Sequence, residues 1–112
     1  MNTTQSMNAS IAIVAAACAL LSAPSVSVAA TDLSSLAAKY NCAACHSVDK
    51  HVVGPSFKEI AAKYAGDAGA PAKLEQKVKA GGSGVWGAIS MPPNNVPDAD
   101  LKALVQSILA TK

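Results

Sequence analysis

Residues 42–46 read CAACH, and no other stretch of this chain restricts its possible folds so strongly. Cys42 and Cys45 stand at i and i+3, a spacing that brings two side chains to one face only on a helical turn. His46 follows at once, so two soft sulfur nucleophiles and an imidazole are confined to five residues. What they do depends on the frame around them.

The chain has 112 residues and three cysteines. Its first 30 residues carry no charged side chain and hold an apolar run, IAIVAAACALL, at 11–21. That run is shorter than the roughly 20 residues a bilayer-spanning helix needs. It suits the apolar region of a secretory signal, and the small residues at 25–30 suit a cleavage site. The leader MNTTQSMNAS departs from the pattern in having no basic residue before the run. A buried helix is the alternative, opposed by Pro24 and the serines after it. Residues 1–30 therefore read as a cleaved signal peptide, with Ala29 as a second cleavage point, and 31–112 as one exported, periplasmic domain. Cys18 leaves with the leader. As a lipoprotein anchor it lacks a bulky apolar residue in the preceding AAA.

A domain of this size lies near the limit at which a hydrophobic core alone suffices, and an extra staple is usual. Nine lysines, no arginine and seven acids give a net charge of +2. That is too weak for a nucleic-acid surface and supplies no guanidinium fork for phosphate. The mean hydropathy of +0.28 comes mostly from the leader and implies no stable membrane insertion.

The pattern downstream is helical throughout. Leu33, Leu36, Ala37 and Tyr40 fall at i, i+3, i+4 and i+7 behind the possible caps Thr31 and Asp32. Phe57, Ile60, Ala61 and Tyr64 repeat the spacing, with Ser56 and Glu59 placed as a capping box and Gly66 as a stop. Pro71 opens a third, shorter helix carrying Leu74 and Val78 and closed by Gly81 and Gly82. Leu101, Leu104, Val105 and Ile108 form a fourth helix behind Asp98 as N-cap. Two irregular stretches remain, 47–54 and 83–97. The second, SGVWGAISMPPNNVP, has three prolines and two glycines, and a loop of that length in a small domain is usually functional. With one Phe, one Trp and two Tyr, these helices lack bulk at their centre.

Three chemistries use a CAACH cluster. A thioredoxin-like dithiol normally opens a helix after a strand, and no strand is expected here. Zinc would gain three ligands, but adjacent Cys45 and His46 fit poorly around one tetrahedral ion and no second Cys/His pair exists. Covalent haem fits best: two thiols add across the vinyl groups, and the histidine becomes an axial ligand of the iron. Met91 is the only methionine of 31–112, in a loop stiffened by Pro92 and Pro93, and can supply a thioether to the opposite face. His51, five residues after His46, reads as a surface histidine.

CAACH, VGPSFKEIAAKYAG, GGSGVWG, ISMPPN and the C-terminal helix, in that order, resemble the small bacterial class I cytochromes c of the c-551/c-552 type. The resemblance spans essentially all of 31–112. It implies an all-α class I cytochrome c fold, four short helices and long loops around one haem c held by Cys42 and Cys45. It further implies His46 as proximal and Met91 as distal ligand, with the Pro55 carbonyl accepting from His46 Nδ1–H. Trp86 would reach a haem propionate and Asn94 would bond near the Met91 sulfur. On the residues alone, Trp86 reads equally as core and Asn94 as a turn residue. Where relatives often use an arginine to meet a propionate, this chain has Lys77, a point charge rather than a fork.

With both axial positions filled, the iron offers no open site, so a soluble one-electron carrier is expected rather than an enzyme. By the resemblance, a quinol-oxidising complex would donate and a terminal reductase or oxidase, such as a nitrite reductase, would accept. The alternative is a haem enzyme or gas-sensing module whose Met ligand is displaced. The expected partners are transient redox proteins docking on an apolar rim near Ala43, Ala44 and Met91–Pro92–Pro93, edged by Lys39, Lys50, Lys77 and Lys79. The carrier itself is expected to be a monomer.

Overall fold

The computed structural model describes residues 32–112, and the signal-peptide reading, Cys18 and Thr31 lie outside them. Helix α1 runs Leu33–Lys39. It starts where the Asp32 carboxylate accepts the Ser34 N–H at 3.1 Å and stops at Tyr40. Asn41 then takes a left-handed φ of 59°, which its short polar side chain tolerates, and swings the chain into a 3-10 turn at Cys42–Ala44.

Helix α2, Phe57–Lys63, carries the complete capping box: Glu59 N–H donates to Ser56 Oγ at 3.1 Å, and Ser56 N–H donates to Glu59 Oε2 at 2.6 Å. Helix α3 runs Ala70–Ala80, with Pro71 in its first turn, where a missing N–H costs nothing. At 11 residues it is longer than α1 and α2, not shorter as the sequence suggested. Helix α4 runs Asp98–Leu109. Here too the sequence reading needs correction. Pro97 is the N-cap, while Asp98 lies inside the first turn and pairs with Lys79 at 2.5 Å. A carboxylate there still favours the positive end of the helix.

Helix α4 is the common partner of α1, α2 and α3. Leu101, Leu104 and Val105 are its most deeply buried positions, packed with Leu36, Phe57 and Val78 from the other helices. Each such side chain contributes roughly 1.5–3 kcal/mol by leaving water. Polar ties reinforce the pairing of the terminal helices: Lys39 Nζ lies 2.8 Å from Asp100 Oδ2, and Tyr40 Oη donates to the same oxygen. Among the described residues there is no β-strand, only an isolated antiparallel bridge between Gly82 and Met91.

Candidate functional site

The turn after α1 sets the cluster. Cys45 N–H and His46 N–H both donate to Cys42 O, at 3.1 and 2.9 Å, so the two thiols and the imidazole are presented on one wound turn. The 47–54 loop folds back and is fastened there. Gly54 N–H donates to Cys45 O at 2.9 Å, and Phe57 N–H donates to Ser47 O at 2.9 Å.

That return delivers three residues to the His46 ring. Pro55 O lies 2.6 Å from Nδ1. A carbonyl can only accept, so Nδ1 carries the proton and Nε2 holds the lone pair of the neutral ring. Phe57 stacks on the imidazole, centroids 5.7 Å apart and planes 22° from parallel. Gly54 passes so close that a Cβ there would sit 2.7 Å from His46 Cε1. The Phe57 and Gly54 contacts were not foreseen; the signal for them was the GPSF run that begins on the last residue of the loop.

Met91 arrives from the other long loop. Gly82 and Met91 exchange two backbone hydrogen bonds, and Asn94 N–H donates to Val78 O at 2.9 Å. The proline-rich loop is thus fixed to the end of α3. The sequence reading took Gly81 and Gly82 only as a helix stop.

Both segments face one cavity of about 260 Å³, floored by Ile60, Leu74, Val78 and Leu104. A single water needs only about 10–15 Å³, so this is room for a large group rather than a packing defect. Cys42, Cys45, His46, Pro55, Lys77, Trp86 and Met91 all line it. Asn94 does not; its Nδ2 donates to Pro92 O at 2.8 Å. His51 reaches the cavity as well as the surface, with about half of its side chain exposed. Trp86 is 38% exposed, with Lys63 Nζ 5.2 Å from its ring centroid. Val53, Val85 and Ile89 also line the cavity while remaining exposed, so a bulky apolar group seated there would cover part of their surface.

The chemistry of the donors fits such a group. Burial pushes the Cys42 thiol up, the opposite of what a reactive dithiol needs. Among the described residues no three His, Cys, Asp or Glu side chains converge as a metal cage. Paired thiols on one turn, an imidazole beside them and a thioether lining the same apolar cavity accommodate a flat macrocycle bonded through sulfur. The fold and site therefore define a c-type haem protein.

Comparison with known proteins bears this out. The family model for cytochrome c matches residues 32–112. Cytochrome c-552 of Nitrosomonas europaea is 59% identical over 78 residues, covering 69% of this chain and 76% of the relative. Cytochrome c-551 of Azotobacter vinelandii is 55% identical over 71 residues, covering 63% of this chain and 87% of the relative. The crystal structure of wild-type Nitrosomonas europaea cytochrome c552 superposes with a TM-score of 0.68 at 57% identity, covering 70% of this chain and 99% of that one. The chain belongs to the cytochrome c family and is a small class I member of the c-551/c-552 type, an electron-transfer protein rather than an enzyme. Cys42 and Cys45 stand where the family attaches its haem covalently.

Proposed function

We propose that this protein is a soluble periplasmic one-electron carrier whose haem iron is held by His46 and Met91. One observation carries the reading: the CAACH turn and the Met91 loop, 45 positions apart, line the same apolar cavity. The bound haem supplies an iron that takes up and releases one electron. The protein's part is to hold that iron in place and keep water away from it. The Pro55 carbonyl fixes the tautomer and orientation of His46, as an outer partner of a metal ligand does. Phe57 and Gly54 close around the ring. The bridge to Gly82 holds Met91 by its backbone, which supports a fixed thioether ligand over a displaceable one. Lys77 and Trp86, both on the cavity wall, are the groups proposed to meet the propionates. Asn94 braces the Met91 loop through one N–H of its amide on Pro92 O, and its second N–H is the donor proposed for the Met91 sulfur.

The periplasmic location rests on the leader pattern at 11–30, and the proposed partners are a quinol-oxidising donor and a reductase or oxidase acceptor. Two measurements test the core of the reading. The denatured protein should weigh as polypeptide plus one haem; a mass equal to bare polypeptide overturns it. Met91→Leu should lose the weak absorption of ferric iron–sulfur ligation at the near-infrared edge and gain reactivity with carbon monoxide in the reduced state. Unchanged spectra would remove Met91 as the ligand.

A further inference from the structure

The peptide unit joining Pro55 to Ser56 is gripped at both ends. Its carbonyl oxygen lies 2.6 Å from His46 Nδ1, and its N–H donates to Glu59 Oε2, also at 2.6 Å. An amide is a resonance unit, so an anionic acceptor on its N–H draws charge onto its oxygen, and chained hydrogen bonds strengthen one another.

The carboxylate is fixed rather than adventitious. Glu59 N–H donates back to Ser56 Oγ at 3.1 Å, and the Ser56 side chain is fully buried. The bond from Ser56 N–H, followed by smaller contributions from the Ser56 side chain and His51, holds the Glu59 carboxyl below its ordinary range, so it is anionic at neutral pH. His51 Nδ1 lies 3.3 Å from the same oxygen. Glu59 itself does not line the cavity; it reaches the site through this peptide, which bonds His46 directly, and through His51, which lines the cavity without bonding the His46 ring.

We infer that Glu59 is a positioning residue for the proximal imidazole: through the Pro55–Ser56 peptide its carboxylate strengthens the His46 Nδ1–H bond and lowers the potential of the iron. A stronger acceptor on Nδ1–H makes the ring more imidazolate-like and Nε2 a better donor, which favours ferric over ferrous iron. The capping role alone would change stability and leave the potential untouched. The inference rests on His46 being an axial ligand.

The test uses the holoprotein with Glu59→Gln, because glutamine preserves the capping box but not the charge. Asp49→Asn is the control: it also removes one negative charge from this region, where Asp49 pairs with Lys58 at 2.5 Å, but it touches neither end of the peptide. Midpoint potentials are measured at low and high ionic strength, together with the proton shift of His46 Nδ1–H in the ferrous protein. Glu59→Gln should raise the potential at both ionic strengths and move Nδ1–H upfield. Asp49→Asn should give a smaller rise that salt removes, with Nδ1–H unmoved. If Glu59→Gln does not assemble with haem, Glu59→Asp, which retracts the charge by one methylene, should give a smaller rise in potential with an upfield Nδ1–H shift. A Glu59 variant that leaves both readouts at wild-type values, or matches the Asp49 control, overturns the relay. Ring-current-shifted His46 ring protons in the wild type separately report ligation, and their absence would overturn the relay and the ligand assignment together.

Discussion

Met91 and Gly82 are joined by a reciprocal pair of backbone hydrogen bonds, Gly82 N–H to Met91 O at 2.9 Å and Met91 N–H to Gly82 O at 3.0 Å. Two residues nine apart in sequence thereby fasten the proline-rich loop to the end of α3. The approach is tight because the neighbouring Gly81 has no side chain. A Cβ there would lie 2.4 Å from Met91 O and 2.8 Å from Pro93 N.

Gly81→Ala should therefore loosen the Met91 loop. Gly81 adopts φ 68° and ψ −153°, a region that is nearly glycine-only and costs other residues about 1–3 kcal/mol before any clash is counted. The expected outcome is a weakened ferric iron–sulfur absorption and faster carbon monoxide binding to the reduced protein. Wild-type values for both would show that the loop is held by something other than this close approach.

Leu104→Ala should cost about 2–5 kcal/mol, the range for truncating a well-packed core leucine. Leu104 is 1% exposed, belongs to the cluster that joins α4 to the other helices, and also floors the cavity. Denaturant unfolding of the holoprotein measures the loss. A change under about 0.5 kcal/mol would mean that the site collapses around the smaller side chain or that haem contacts replace the leucine.

How much of this was legible beforehand follows from the range of each interaction. The helices and the Ser56/Glu59 box were readable because their signals lie within one or two turns of sequence. Asp98 was misplaced because Asp is a favoured residue both at the N-cap and in the first turn; the two positions differ in backbone conformation, and here Pro97 is the extended residue while Asp98 is already helical. Likewise Gly81 and Gly82 end a helix by a local rule, while their second role depends on a loop that returns later. His51 is at the surface as its sequence context suggested, but its contact with Glu59 depends on the fold of the 47–54 loop. CAACH, a short motif, identified the site. The residues that shape the site came from four separate segments.

Stability should respond to acid through the junction of the terminal helices. The bond from Lys39, and after it that from Tyr40, holds the Asp100 carboxyl below its ordinary value. A group depressed in the folded state adds stability above its unfolded pKa, near 3.9, and that contribution disappears as pH falls through the folded value. Asp100→Asn should thus be less stable than wild type at pH 7, modestly so for an exposed pair, with the gap closing below about pH 4. Urea midpoints at pH 7 and pH 3 check this. A gap that widens in acid would reverse the sign and rule out the ion pair as its source.

Docking to redox partners should depend weakly on salt. Of the lysines around the expected rim, Lys39 is paired with Asp100 and Lys79 with Asp98, so half of the presumed positive edge is neutralised within the molecule. Lys50 and Lys77 have no carboxylate partner among the described residues, nor has Lys63 beside Trp86, and three isolated charges make a weak steering field. The cavity lining also includes the exposed side chains Val53, Val85 and Ile89, with Ile89 70% exposed. Where haem covers only part of these side chains, apolar contact rather than ion pairing would hold a partner, as suits a transient complex burying less than roughly 1,200 Å². At physiological ionic strength charges are screened beyond about 8 Å, so steering that rests on a few lysines is already mostly lost there. Stopped-flow electron transfer to a purified bacterial nitrite reductase, across an ionic-strength series, should show the bimolecular rate falling by less than about one decade. Ile89→Lys should slow the reaction more than Lys77→Gln does. A fall of two decades or more, or the reverse order of the two variants, would mean that a charged patch governs docking.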